Sequence, residues 1–236
     1  MSYHLLKVLK LAFKRKRCNK YDYIFSLGYN CEIAFRFVKY FKFEESNLFN
    51  WMYVLPFERL LNAINNLDKI GTEGFRGPNP LWHDNFSGIH FHGKASFDEL
   101  KNNPQIIEKD LEDLKSRIPY LAQKFKKFLT SDYKKLYICK LKGDDIDTNI
   151  NKKIKCLNDS LYALGGKNFD ILVVTEEKYK DFFKNPDGFI YRTVTQFPPD
   201  TDAVSPDFFN NGWNEIFDEF YVKKPKKTKK KHYKFD

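Results

Sequence analysis

Long apolar runs are missing from this chain. No stretch approaches the roughly 18 to 20 apolar residues that span a bilayer, and its first residues lack the charged, apolar and small-residue order of a secretory leader. The expected location is the cytoplasm, with peripheral contact at the inner membrane face left open by the charge pattern. Cysteine is scarce: Cys18, Cys31, Cys139 and Cys156 stand far apart with no Cys-x-x-Cys pair. That spacing argues against a zinc ribbon or a disulfide framework and leaves reduced thiols as the default. A glycine-rich phosphate loop, an internal repeat and a recognised metal-ligand motif are also lacking. The sequence therefore asks for no cofactor and no metal.

Acidic residues are absent from the first twenty positions, which carry seven Lys or Arg, and are reduced to one Asp against eight Lys in 222–236. The net charge of +10 comes from these ends: of 41 basic and 31 acidic residues, 26 and 30 remain between them. A slightly acidic body speaks against nucleic acid as a partner and confines the positive charge to two flanks. Residues 3–17 can form a helix with Leu5, Leu6, Leu9, Ala12 and Phe13 on one side and Lys7, Lys10 and Lys14 off it. Such a helix suits an anionic leaflet, and the lysines from Lys223 to Lys231 would add electrostatic attraction. The expected organisation is a basic amphipathic helix over 1–20, an α/β domain over 21–221 and a disordered Lys-rich tail over 222–236.

What is present in quantity is apolar and aromatic surface, 42% and 17% of the 236 residues, enough for one sizeable core. The most informative stretch runs from Tyr23 to Phe41. Tyr23, Ile24 and Phe25 favour a strand, Gly28 can take the positive φ of a sharp turn, and Asn30 suits a helix N-cap. Apolar residues then recur at Ile33, Ala34, Phe37, Val38 and Phe41, one face of a helix. Cys31 falls at the turn, where unpaired backbone N–H groups and the helix dipole favour a thiolate; such sites bring a thiol below its free pKa of about 8.5. The alternative is a small buried thiol with no chemistry.

Further along, a helix is expected from about Pro56 to Asp68, a structured loop with a short strand over Gly71–Gly93, and helix from Phe97 to about Leu129 with interruptions near Pro104 and Pro119. Strands at Lys135–Lys140, Asp170–Val174 and Gly188–Val194 alternate with helices over about Asp147–Leu164 and Glu176–Phe183, and a last helix is expected within Asn211–Phe220. This alternation predicts a single three-layer α/β domain with a mostly parallel sheet. If Tyr23–Leu27 belongs to that sheet, Cys31 lies past its carboxyl end, where open α/β sheets place ligand sites.

A thiolate nucleophile needs a base, and a histidine is the usual one. His83, His90 and His92 lie within ten residues, with His90 and His92 on one face of any strand. Any of them can partner Cys31, join Asp84 around a metal, or do neither. Asp144, Asp145 and Asp147 read as turn and cap residues.

Ser26-Leu-Gly-Tyr-Asn-Cys31, Asn47-Leu-Phe-Asn-Trp51, Gly88-Ile-His-Phe-His92, Ser116-Arg-Ile118 and the strand Leu136–Lys140 together resemble the ordered landmarks of a bacterial family classed as papain-like cysteine peptidases, otherwise a domain of unknown function. The family pattern is similar to Ser-Leu-Gly-x-x-Cys, Pro-Phe-Asp-Trp, a His-Asp-Phe element and Arg-Arg-Ile. The resemblance spans roughly residues 22–220 and is specific in its first block. It implies Cys31 as nucleophile and His92 as its partner. Asn50 stands where the family has Asp, and Gly93 where an Asp follows the histidine; an Asn50 amide oxygen can still accept an imidazole N–H. The resemblance also suggests a companion of surface-polysaccharide enzymes.

The expected activity is cysteine-dependent hydrolysis or acyl transfer on a small-molecule, glycan or peptide substrate, with Gly28 shaping the turn and Asn30 at the oxyanion. Ser26, Trp51 and Arg117 join the site as binding residues. The alternative is a non-catalytic glycan or nucleotide-sugar module that stacks its ligand on Trp51, Trp82 and Tyr29.

Overall fold

The computed structural model describes residues 19–42, 45–78, 81–101, 103–183, 188–199 and 211–223. The helix expected over 1–20 and the tail from 224 onward lie outside them, apart from Asn19 and Lys20, which are strand. The chain is α/β with mostly parallel pairing. The main sheet has four strands in the order β2 (Tyr23–Ser26), β7 (Lys135–Lys140), β8 (Phe169–Glu176) and β9 (Phe189–Val194), every neighbour parallel. The strand expected at Lys135–Lys140 has those limits; the next is longer by one residue at its start and two at its end.

Alternation along these strands sorts two separate cores. Phe25, Tyr137, Cys139, Ile171 and Val173 point to one face, where α2 (Phe57–Asn65), α4 (Pro104–Thr130) and α5 (Ile150–Ala163) supply Leu60, Ile64, Phe125, Leu129, Ile154 and Leu157. Ile24, Leu136, Ile138, Leu172 and Val174 point to the other, against Ile33, Ala34 and Phe37 of α1 (Glu32–Phe41) and Trp213, Ile216 and Phe217 of α6 (Trp213–Phe217). Buried on both sides, these strands read as continuous apolar runs, as parallel strands do.

The region expected as a loop with one short strand holds three, and it builds a second sheet. Met52–Tyr53 (β3), His90–Phe91 (β6), Trp82–Asp84 (β5) and Phe75–Arg76 (β4) pair antiparallel in that order. Met52, Trp82 and Phe91 turn inward to the first core, so the residues between them line the outer face. A third pairing joins the ends of the fold: β1 (Asn19–Tyr21) lies parallel to β10 (Phe220–Val222), so the domain takes in Asn19, Lys20 and Val222, beyond the 21–221 expected.

The two prolines of the long helical stretch behave differently. Pro104 is the first residue of α4, and Asn103 caps it by accepting from the Gln105 and Ile106 amides, after the short α3 (Phe97–Lys101). Pro119 sits inside α4 without ending it: the residue is exposed, as is Lys115 four positions back, so the carbonyl that loses its N–H partner can turn to water. The segment Glu177–Phe182, expected as an α-helix, winds as 3₁₀ turns.

Candidate active site

The turn that carries Cys31 is held by polar side chains. Leu27 continues the β2–β7 ladder by donating to the Ile138 carbonyl, so the Ser26 N–H and C=O face the open edge of the sheet. Two buried amides meet them there: Asn50 Oδ1 accepts from the Ser26 amide at 3.0 Å, and Asn47 Nδ2 donates to the Ser26 carbonyl at 3.3 Å. Ser26 Oγ in turn accepts from the Gly28 amide at 3.0 Å. Gly28 has φ +88°, and the Gly28–Tyr29 peptide is cis. The Tyr29 carbonyl then accepts from Val54 just past β3, which ties the turn to the small sheet.

Cys31 itself, rather than Asn30, takes the N-cap position of α1, with helical φ −67° and ψ −8°. Asn30 still serves the helix start, because its Oδ1 accepts from the Glu32 amide at 3.2 Å. Cys31 is half-buried, whereas Cys139 lies sealed in the core, where burial pushes its thiol up, and Cys156 is exposed on α5. Of the thiols described, only Cys31 sits at a strand-to-helix turn past the carboxyl end of the parallel sheet.

Beneath the turn lies a charged cluster that pattern reading did not find. The Glu32 carboxylate is fully buried; one oxygen meets Lys140 Nζ at 2.5 Å, and the other accepts from Arg36 Nε and Nη2 at 3.3 Å and from Trp213 Nε1 at 3.0 Å. Lys140 also reaches Asn30 Oδ1 at 3.4 Å and stands 4.4 Å and 5.0 Å from the ring centres of Phe197 and Tyr29. Burial lowers the Arg36 guanidinium from its ordinary value, and the adjacent Glu32 opposes that shift. The available signals were the Glu32/Arg36 i,i+4 pair and a lysine closing an apolar strand.

The histidines divide. His92, exposed just past β6, has its carbonyl held by Arg117 Nη2 at 2.6 Å, while partial desolvation and then the Arg117 charge lower its imidazole from the ordinary value. Continuing the Met52–Phe91 register by one residue brings Trp51 opposite His92. Trp51 lies edge-on to Phe35, 4.9 Å between ring centres, and Phe35 is one helical turn beyond Cys31. Trp51 is thus in ring contact with the helix that Cys31 begins, and by register it lies across from His92. His83 and His90 instead bond to each other. Asp84 faces away from both, buried, accepting from the amides of Gly71 and Ser87 and from the Ser87 hydroxyl. It is spent on its loop, and among the described residues no group of three His, Cys, Asp or Glu is arranged to hold a metal ion.

Of the other predicted site residues, Asn50 gives its carbonyl oxygen to Ser26 and its NH2 to the Glu45 carbonyl, so both ends of the amide serve the backbone. Gly93, where the resemblance leads one to look for an acid, has none because the space is taken. A Cβ built there would lie 1.8 Å from Asp110 Oδ2, whose carboxylate accepts from Trp82 Nε1 and from the Lys94 and Ala95 amides. An acid from α4 therefore fills the space that a side chain at Gly93 would take. Trp82 and Tyr29 are buried at 2% and 6% exposure, leaving Trp51 as the accessible one of the three suggested stacking surfaces. Among Asp144, Asp145 and Asp147, Asp145 accepts from the Phe57 amide at the start of α2, and Asp147 from the Asn149 amide before α5.

No family model matches the chain, and comparison with curated proteins and with solved structures returns no similar protein.

Proposed function

We propose that Cys31 is the nucleophile of a cysteine-dependent hydrolase or acyltransferase, set at the first strand-to-helix turn of a three-layer α/β domain. The observation that carries the reading is the setting of this thiol: half-buried, at the N-cap of α1, past the carboxyl end of β2, with the loop before it pinned by Ser26, Asn47 and Asn50. Unpaired N–H groups at a helix start favour a thiolate and serve a developing oxyanion. In this reading the thiol proton passes to His92, the sulfur attacks a carbonyl carbon, and the carbonyl oxygen turns to the backbone of the turn before α1, where the amides of Gly28 and Glu32 are engaged by Ser26 and Asn30. The tetrahedral adduct expels its leaving group, which takes the proton back from His92, and the acyl thioester then passes to water or to a second substrate. Asn50 and Arg117 act through position: one fixes the strand end before the thiol, the other the His92 backbone.

The test is acyl-enzyme trapping. Incubation with an activated acetyl ester followed by intact-mass analysis should show one added acetyl group, absent in Cys31→Ala and retained longer in His92→Gln. Labelling that persists in Cys31→Ala, or none in the native chain, contradicts the reading.

A further inference from the structure

The outer face of the small sheet carries a rank of four side chains that the cysteine chemistry does not use. Register places Tyr53 opposite His90, His90 opposite His83 and His83 opposite Arg76, one residue from each of the four strands. Three of the four are hydrogen-bonded in a row. Arg76 Nη2 lies 2.8 Å from His83 Nε2, and His83 Nδ1 lies 2.8 Å from His90 Nε2. The Tyr53 and His90 rings are 5.9 Å apart at their centres.

A guanidinium only donates, and this fixes the protons of the whole row. His83 Nε2 accepts from Arg76, so its proton sits on Nδ1 and is donated to His90 Nε2; the His90 proton is thereby left on Nδ1. Among the described residues that N–H has no acceptor. Both imidazoles are neutral in this arrangement. Desolvation, then the neighbouring Arg76 for His83 and His83 itself for His90, lower the two rings from the ordinary histidine value.

A second guanidinium joins from α2. Arg59 Nη1 donates to the Gly88 carbonyl at 3.2 Å, and its charge acts on both histidines. Gly88 has φ +71°, and a Cβ there would lie 3.0 Å from Arg59 Nε, so the arginine packs directly over this glycine. Arg59 and Arg76 are exposed, and among the described residues neither is paired with a carboxylate. Each spends one of five N–H donors on a neutral acceptor. Asp84, the nearest acid acting on His83, is buried behind the sheet with its oxygens taken.

We propose that this face binds the phosphate group of a phosphorylated ligand, with Arg59 and Arg76 holding its oxygens and the His90 Nδ1–H donating to it beside the Tyr53 ring. Two fixed positive charges match a phosphate dianion, and planar guanidiniums fit its oxygens in pairs. The proposal does not rest on the cysteine reading.

Calorimetric titration of the full chain at constant ionic strength tests it, with inorganic phosphate and glycerol 3-phosphate as probes and chloride as the control. Saturable binding of phosphate or its ester is expected, weakened about tenfold or more in Arg76→Gln and in Arg59→Gln, the loss of a charge-assisted contact. Both residues are exposed, so circular dichroism should report an intact fold. Tighter binding of the ester than of inorganic phosphate identifies a phosphorylated metabolite as the source, and equal binding identifies the phosphate group alone. Cys31→Ala should bind as the native chain does. No saturable binding of either probe, or unchanged binding in both arginine variants, overturns the proposal.

Discussion

Lys140 and Glu32 meet 2.5 Å apart with both side chains sealed from solvent, one residue beyond the thiol at the head of α1. The contact joins the end of β7 to the start of α1, and Arg36 and Trp213 complete the shell of the same carboxylate. A buried pair of this kind adds little over an apolar one, but breaking it strands a charge. Lys140→Met should therefore cost about 3–5 kcal/mol of unfolding free energy. Glu32→Leu should cost more, because it leaves both Lys140 and Arg36 without their carboxylate. Urea denaturation followed by tryptophan fluorescence gives both values; equal or negligible losses would remove the cluster as the support of this turn.

The Asp110 carboxylate fills the space that a Gly93 side chain would need. Gly93→Ala should force that carboxylate off Trp82 and the Lys94 amide, with an overpacking loss of about 1–3 kcal/mol. Pairing Gly93→Asp with Asp110→Ala should recover part of the stability lost in Gly93→Asp alone, since the new carboxylate enters the vacated space. A double variant no better than the single one would show that the carboxylate's attachment to α4 matters, not merely its position.

Acid should loosen the small sheet. The fold holds His83 and His90 below the ordinary imidazole value, while unfolding returns them to roughly 6.5. In that interval the unfolded chain binds more protons, so stability falls as pH drops below about 6.5 and is level in these groups above it. Urea midpoints between pH 8 and pH 5 should trace the decline, and His83→Gln with His90→Gln should flatten it. A slope unchanged in that double variant would place the acid sensitivity elsewhere.

Much of this arrangement is legible in the sequence. Lys135–Lys140 holds four consecutive apolar residues between two lysines, and Tyr23 to Phe41 switches from an extended apolar run to a 3.6-residue period at Gly28, so strand, turn and helix declared themselves. The small sheet did not, because strands of two or three residues such as Met52–Tyr53 and His90–Phe91 are shorter than any periodicity can register. The rank from Tyr53 to Arg76 was equally hidden: it runs across four strands, and only the register brings it together. The pairing of Asn19–Tyr21 with Phe220–Val222 is a contact between the two ends of the fold, for which local sequence carries no signal. Asn50 is expected as an orienting residue for an imidazole, and its bond to the Ser26 amide carries no local sequence signal.

The rate of Cys31 alkylation as a function of pH tests the central claim most directly. Treating the native chain with iodoacetamide from pH 5 to pH 9 and locating the label by peptide mass should show Cys31 reacting with a midpoint below the free-thiol value of about 8.5, and faster near neutral pH than exposed Cys156. His92→Gln should move that midpoint upward. A Cys31 that reacts no faster than Cys156 at neutral pH, or whose profile is indifferent to His92, would contradict the account.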